Sequence, residues 1–225
     1  MKNVDPIALV RFFELGGPVM WPILAASLVG TAVFIERLIA LRQGKVNPRD
    51  FVEKIRGMAS KGKTAQALLL CDEHGASVSR LMAAALRAGR LGKPRSEIKE
   101  AIAEVGAREI GALDKYVEVV GTVASVSPLL GLFGTVVGMI QVFSGYAEAY
   151  AAGHATPDTF AQGIYTALIT TAYGLLVAIP TFVAYKYLLG RTDGLVAAME
   201  EDVMSLVDLI EEGRRAGVAV EAEPT

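Results

Sequence analysis

Two apolar runs carry hydroxyls and glycines where most catalysis would need charged groups. In Gly163-Ile164-Tyr165-Thr166-Ala167-Leu168-Ile169-Thr170-Thr171-Ala172-Tyr173-Gly174-Leu175-Leu176-Val177-Ala178-Ile179-Pro180, Thr and Tyr hydroxyls recur in an otherwise apolar segment. In Ser127-Pro128-Leu129-Leu130-Gly131-Leu132-Phe133-Gly134-Thr135-Val136-Val137-Gly138-Met139, the glycines Gly131, Gly134 and Gly138 fall on or near one helix face. Such a face lets a neighbouring helix approach closely, and Pro128, which lacks an N–H, is expected to bend the helix there. Hydroxyls can replace part of a cation's hydration shell, but they cannot neutralise its charge. Each glycine or threonine taken singly reads as packing, since Thr also bonds its own backbone carbonyls.

Other chemistry is poorly provided for. There is no phosphate loop, and His74 and His154 stand far apart in the sequence. Cys71, the one cysteine, has no evident activating partner and cannot form an internal disulfide. No catalytic residue, cofactor-binding residue or metal ligand is expected, and the protein is not read as an enzyme. A formal net charge of −2 gives no support for a nucleic-acid partner.

The elements that must hold these residues are membrane helices. At 52% hydrophobic and 20% charged, composition alone does not settle the class, but the distribution does. Three long stretches are nearly free of charge. Residues 19–41 form the first; at about 1.5 Å per residue they reach roughly 35 Å, enough to cross a hydrocarbon core of about 30 Å. Trp21 marks one end, and Glu36, Arg37 and Arg42 the other. This stretch lacks a small-residue cleavage site and is read as retained. The second span is expected over 119–143 and the third over 160–189, with Lys186 near the end of the third able to snorkel.

Around the spans, residues 1–18 read as an interfacial helix opened by Asp5-Pro6 and closed by Gly16-Gly17-Pro18. Residues 42–118 read as a helical domain. Helices are expected from Asn47-Pro48 to about Ala59, from Thr64 to Gly75, and from Ser79 to near Gly89. After Pro94 the apolar positions Ile98, Ile102, Val105, Ile110, Leu113 and Val117 continue without a breaker, so one long helix is expected to run into the second span. Residues 144–159 are expected as a loop. In 190–225, Leu195, Val196, Met199, Val203, Leu206, Val207 and Ile210 suggest a final amphipathic helix, with a disordered tail from Gly213. The fold class is therefore an all-α membrane protein with three transmembrane helices, a helical domain between the first two and a C-terminal helix.

Basic residues orient the chain. The segment 42–115 holds 15 Lys and Arg and the 144–159 loop holds none. The helical domain and the C-terminus are expected in the cytoplasm, and the N-terminus and the short loop in the periplasm, as in a multi-pass inner-membrane protein. His74 and His154 then lie on opposite sides of the membrane and cannot share one zinc.

Together the two runs read P-L-L-G-L-x-G-T-V-x-G, followed by G-I-x-x-A-L-x-T-T-A-x-G-L-x-x-A-I-P. This resembles the second- and third-helix motifs of the ExbB/TolQ/MotA family, and the Glu36-Arg37-Leu38 ending of the first span is common there too. The resemblance covers residues 18 to about 212, and three spans with a large segment between the first two place it nearer ExbB/TolQ than MotA. It implies a homopentamer whose second and third helices line a central pore. It also implies two copies of a single-span partner of the ExbD/TolR type in that pore, bearing an intramembrane aspartate. Ion flow, of protons or sodium, would drive rotation that delivers work across the periplasm. By the same resemblance Thr135 and Thr171 match pore-facing threonines; Thr166 stands where part of the ExbB branch has a glutamate; paired Thr170 and Thr171 resemble sodium-driven members; and Gly131, Gly134, Gly138, Pro128 and Pro180 belong to helix packing. Without a charged group at mid-membrane the chain can supply hydroxyls, and ion neutralisation falls to the partner. The alternative is a stand-alone homo-oligomeric channel or transporter, which would conduct without any partner. The load driven and the partner's identity are not written in the sequence.

Overall fold

The structure, a computed structural model, describes residues 17–154 and 157–215. Among these residues there are no strands, and the elements are α1 (Met20–Ala40), α2 (Gln43–Val46), α3 (Arg49–Ser60), α4 (Thr64–Glu73), α5 (Ser77–Arg90), α6 (Arg95–Asp114), α7 (Val117–Ala151) and α8 (Pro157–Arg215). The interfacial helix expected over 1–18 lies outside the described residues except for Gly17 and Pro18, as does the tail beyond Arg215. Three segments are long and apolar enough to cross a membrane: Met20–Ala40, Val117–Ala151 and Gly163–Arg215, each reaching a mean hydropathy of 1.9. A helical region lies between the first and the second.

Helix limits depart from the expected spans in three places. First, α7 runs 35 residues, past Phe143 to Ala151, so half of the expected loop is helical. Ser144–Ala151 contains no proline, and Gly145 alone does not end the helix. The stop comes at Gly153, whose φ of +78° closes a left-handed cap, with the His154 N–H donating to the Ala149 carbonyl at 3.0 Å. Second, α8 runs 59 residues without interruption, where a third span and a separate final helix were expected. Gly190 alone costs a helix only about 1 kcal/mol relative to alanine, and no proline or cap lies beside it. Third, the long helix expected after Pro94 is two helices, α6 and α7, parted at Lys115 and Tyr116. Both residues keep right-handed helical angles, and no glycine or proline marks the break.

The chain divides into two compact units, Met1–Ile35 with Tyr116–Tyr187, and Glu36–Lys115 with Leu188–Thr225. The second unit is built as soluble proteins are. Ile55, Ala67, Val78, Met82, Leu86 and Ile98 from α3 to α6 are fully enclosed, as are Leu188, Val203, Leu206 and Val207 on α8. The buried stripe on α8 repeats every three or four residues, as the amphipathic pattern requires. Charged contacts fasten its outer face. Asp202 accepts from Asn47 at 2.7 Å and from Arg56 at 2.9 Å. Arg95 pairs with Asp208 and Glu211 at 2.7 and 3.0 Å, and Arg214 donates to the carbonyls of Gly89 and Lys93, each at 3.1 Å. Cys71 is buried here, and burial, with a smaller contribution from Asp72, pushes its thiol up to about 12. His74 caps α4 and packs its ring 4.1 Å from that of Phe51.

Candidate functional site

In the first unit α7 and α8 pack antiparallel, in a register where one rises in number as the other falls. Gly121 meets Tyr185, Gly131 meets Thr170, Thr171 and Gly174, Gly138 meets Ala167, and Gly163 meets Val142. Backbone meets backbone where two glycines oppose each other. A Cβ added to Gly174 would stand 2.7 Å from the Ser127 carbonyl oxygen and 2.9 Å from the Gly131 Cα. One added to Gly131 would stand 3.0 Å from both the Thr170 oxygen and the Thr171 Cα. Both clashes are with backbone, which cannot turn aside. Gly134 and Gly138 face the Thr170 side chain and the Ala167 Cβ, at 2.7 and 2.9 Å from such an added atom. The Gly131/Gly134/Gly138 face therefore packs on α8 of the same chain. Small residues supply this interface because lipid gives no hydrophobic drive to bring helices together.

Sequence reasoning left Gly163 and Gly174 off the packing set, although both stand in the second run. The signal was there: Gly163, Ala167, Thr170, Gly174 and Ala178 follow one another at three or four residues, the spacing of one helix face. Gly30 was also missed. On α1 it faces Val123 of α7 and Thr181 of α8, an added Cβ standing 3.0 and 3.5 Å away. Pro128 and Pro180 both lie inside their helices, which continue through them. Pro180 lines a groove of about 350 Å³ between α1 and α8 with Gly30, Phe34 and Thr181.

The four threonines do not share one environment. Thr171, half-buried, donates its hydroxyl hydrogen across to the Gly131 carbonyl at 3.0 Å. Thr135, on the flank of α7, donates to the Leu132 carbonyl of its own helix at 2.6 Å. Thr166 is half-buried on α8 beside an open groove of about 440 Å³, whose lining includes Gly138, Gln141, Gly145, Tyr146 and Gly163. Thr170 differs. It is 1% exposed, lies against Gly134 and donates to the Ala167 carbonyl at 2.6 Å. Successive residues on a helix are rotated about 100°, so Thr170 stands inside the α7–α8 contact where its neighbour Thr171 stands at the edge.

Three hydroxyl protons are thus committed to carbonyls. A hydroxyl has one donor and two lone pairs, so Thr135 and Thr171 present acceptors only to whatever meets them from outside. Their complement is a cation or a protonated acid. A free carboxylate would find no donor without first breaking a bond worth about 1 kcal/mol. Neither 119–143 nor 160–185 contains Asp, Glu, Lys or Arg, and among the described residues no cluster of His, Cys, Asp and Glu could hold a metal.

Residues 74–201, which carry both motif runs, match the MotA/TolQ/ExbB proton channel family. The chain belongs to this family. The matched stretch takes in α5, α6, α7 and most of α8, so the glycine interface and all four threonines lie within it. A putative ExbB homologue of biopolymer transport from Methanothermobacter thermautotrophicus is 29% identical over 223 residues, covering 96% of this chain and 75% of the relative. The TolQ protein of the Haemophilus influenzae Tol-Pal system is 45% identical over 101 residues, 45% of this chain and 41% of its own length. The biopolymer transport protein exbB1 of Vibrio cholerae is 41% identical over 88 residues, 39% and 37% of the two chains. The match spans less than half of the two bacterial relatives. This is a membrane protein of a transport-associated family.

Proposed function

We propose that the chain is the ring-forming subunit of an ion-driven motor in the inner membrane. Five copies surround two copies of a single-span ExbD/TolR-type partner, whose intramembrane aspartate carries the ion. The N-terminus then faces the periplasm and the C-terminus the cytoplasm. The observation that carries this reading is Thr135 and Thr171: hydroxyls whose protons are committed to carbonyls, on a glycine-packed helix pair without charge over 119–143 and 160–185.

Repeated around a ring, these oxygens form a belt that accepts a hydrogen bond from a protonated aspartate or contacts a bound cation. The partner's carboxyl is stabilised there only while loaded with its ion. Unloading makes it a carboxylate, which the acceptor belt disfavours, and the ring and partner shift until the next loading site is reached. Ion transfer is thereby coupled to relative rotation.

Thr170 is enclosed against Gly134 in the α7–α8 contact, which speaks against a sodium site built on paired Thr170 and Thr171 hydroxyls. We therefore propose the proton as the driving ion. Output measured across a sodium titration at fixed pH, in the native host, tests both parts. Output is expected to persist without sodium and to collapse when an uncoupler removes the proton gradient. Output that requires sodium overturns the proton assignment; ion flux by the purified chain with no partner present favours a stand-alone channel instead.

A further inference from the structure

The contact that α1 makes with the α7–α8 pair stops partway along it. Gly30 faces Val123 and Thr181, and Val19, Met20 and Ile23 at the start of α1 pack against Leu130, Tyr173 and Val177. From Leu130, α7 runs on to Ala151, about 30 Å further. The open groove of about 440 Å³ lies on this uncovered length, from Gly138 to Ala149 on α7 and beside Gly163 and Thr166 on α8.

The groove continues the side that α1 already covers. At about 100° per residue, Val123, Leu130 and Gln141 stay within about 20° of one another around α7. Val177, Tyr173 and Thr166 stay within about 40° around α8. The first two of each row meet α1, and Gln141 and Thr166 line the groove. A segment leading back from Gly17 therefore reaches the groove without crossing to another side of the helix pair.

Lipid is a poor occupant here. Glu118 and Lys186 mark one end of the pair, since Gly121 packs on Tyr185. One hydrocarbon thickness, about 20 residues, ends near Gly138 and Thr166, where the groove begins. Gln141 is exposed, and among the described residues its side-chain amide makes no hydrogen bond. Acyl chains would leave that amide unpaired, whereas a peptide brings its own N–H and C=O groups. Gly138, Gly145, Ala149 and Gly163 are small, so bulky side chains have room to enter between them.

Residues 1–16 have the reach and the side chains to fill it. Sixteen residues span about 24 Å as helix and about 50 Å extended. From Leu130 the groove begins about 12 Å away, at Gly138, and ends about 28 Å away, at Ala149. Leu9, Phe12 and Phe13 recur at the spacing of one helix face. Beyond the lipid, water favours their burial.

We propose that residues 7–15 of the same chain lie in the α7–α8 groove, with Leu9, Phe12 and Phe13 inserted, and so extend the α1 contact along the projecting end of the helix pair. This docking does not rest on the motor reading. Cysteines at Leu9, Phe12 or Phe13 should each be paired with Gly145→Cys in a Cys71→Ala background and oxidised with copper phenanthroline in native membranes. An added Cβ at Gly145 meets nothing within 4 Å. Exposed Ala147, about 200° round the helix, supplies the control as Ala147→Cys. At least one pair is expected to cross-link tenfold more fully with Gly145→Cys than with Ala147→Cys, at monomer mass on a non-reducing gel. Cross-linking no better than the control overturns the proposal. A dimer band that Gly145→Cys alone does not give assigns the groove to a second copy, and overturns it equally. A separate arm uses single cysteines and a soluble maleimide on the purified full-length protein. Gly145→Cys is expected to react at least tenfold more slowly than Ala147→Cys, and Phe12→Asp with Phe13→Asp to remove that difference. A difference that survives both substitutions means that lipid or another chain shields the groove, and equal rates in the parent mean that it stands open. Either result overturns the docking.

Discussion

The two units of this chain solve the same problem with opposite materials. The Glu36–Lys115 and Leu188–Thr225 unit is held by large enclosed side chains and by ion pairs between segments distant in sequence. In the unit containing α7, beside a cluster of Val19, Met20 and Ile23, the α7–α8 contact itself is made by glycine, alanine and threonine, with backbones nearly touching at Gly131 and Gly174. Solvent explains the difference. Water rewards the burial of Leu and Met at about 25 cal/mol per Å² of apolar surface. Lipid tails give no such reward, and contact distance and a few hydrogen bonds must serve instead. Two glycines show the contrast: Gly57 on α3 has nothing within 4 Å of an added Cβ, while Gly174 meets the backbone of Ser127 and of Gly131.

The sharpest way to break this comparison is to exchange small for large. Gly174→Leu is expected to cost about 3 kcal/mol or more and to abolish the folded α7–α8 pair, seen as loss of the intact oligomer in detergent. Gly57→Leu should be neutral or stabilising, by up to about 1 kcal/mol, because it restores helix propensity without a clash. Next in size is the reverse exchange. Leu206→Ala, at a fully enclosed position, is expected to cost about 3 kcal/mol in denaturant unfolding. An equally mild response to Gly174→Leu and Gly57→Leu would erase the contrast.

A smaller effect follows from Cys71. Its thiol in the folded unit is pushed up to about 12 from an ordinary 9. The folded state thus holds a proton that the unfolded chain gives up. Stability contributed by the neutral thiol is complete below pH 9 and declines as pH rises from 9 towards 12. Cys71→Ala should flatten that part of the pH profile. In the parent, alkylation at pH 8 should be negligible until denaturant unfolds the unit.

Much of this was legible in the amino-acid order. Apolar length and the absence of charge mark the three membrane-crossing segments, and the spacing of Leu195, Met199, Val203, Leu206 and Ile210 marks the buried face of α8. Helix ends were harder. Hydropathy reports where lipid would stop, but a helix stops only where its ladder meets a cap or breaker. Hence α7 continues to the Gly153 cap, and α8 passes straight through Gly190. At the site, residue type gave the hydroxyls but not their directions. Thr170 and Thr171 are neighbours in sequence, yet one side chain is enclosed against Gly134 and the other bonds Gly131 at the edge of the contact. Gly174 escaped notice as the partner of Gly131 because pairing across two helices depends on a register that neither run states alone.

The central claim, that hydroxyls whose protons are committed to carbonyls meet the proposed partner's ion-loaded carboxyl, is tested most directly at Thr171. Thr171→Ala removes one interhelical hydrogen bond, worth about 0.6 kcal/mol in a membrane bundle, and leaves the backbone contact at Gly131 and Gly174 in place. Proton-driven output and oligomer mass should be measured on the same preparation, with the native partner present. The expected result is an intact oligomer with output reduced at least tenfold, and partial recovery in Thr171→Ser, which restores the hydroxyl. Normal output from Thr171→Ala would contradict the claim, leaving the hydroxyl a packing group and the belt without a function.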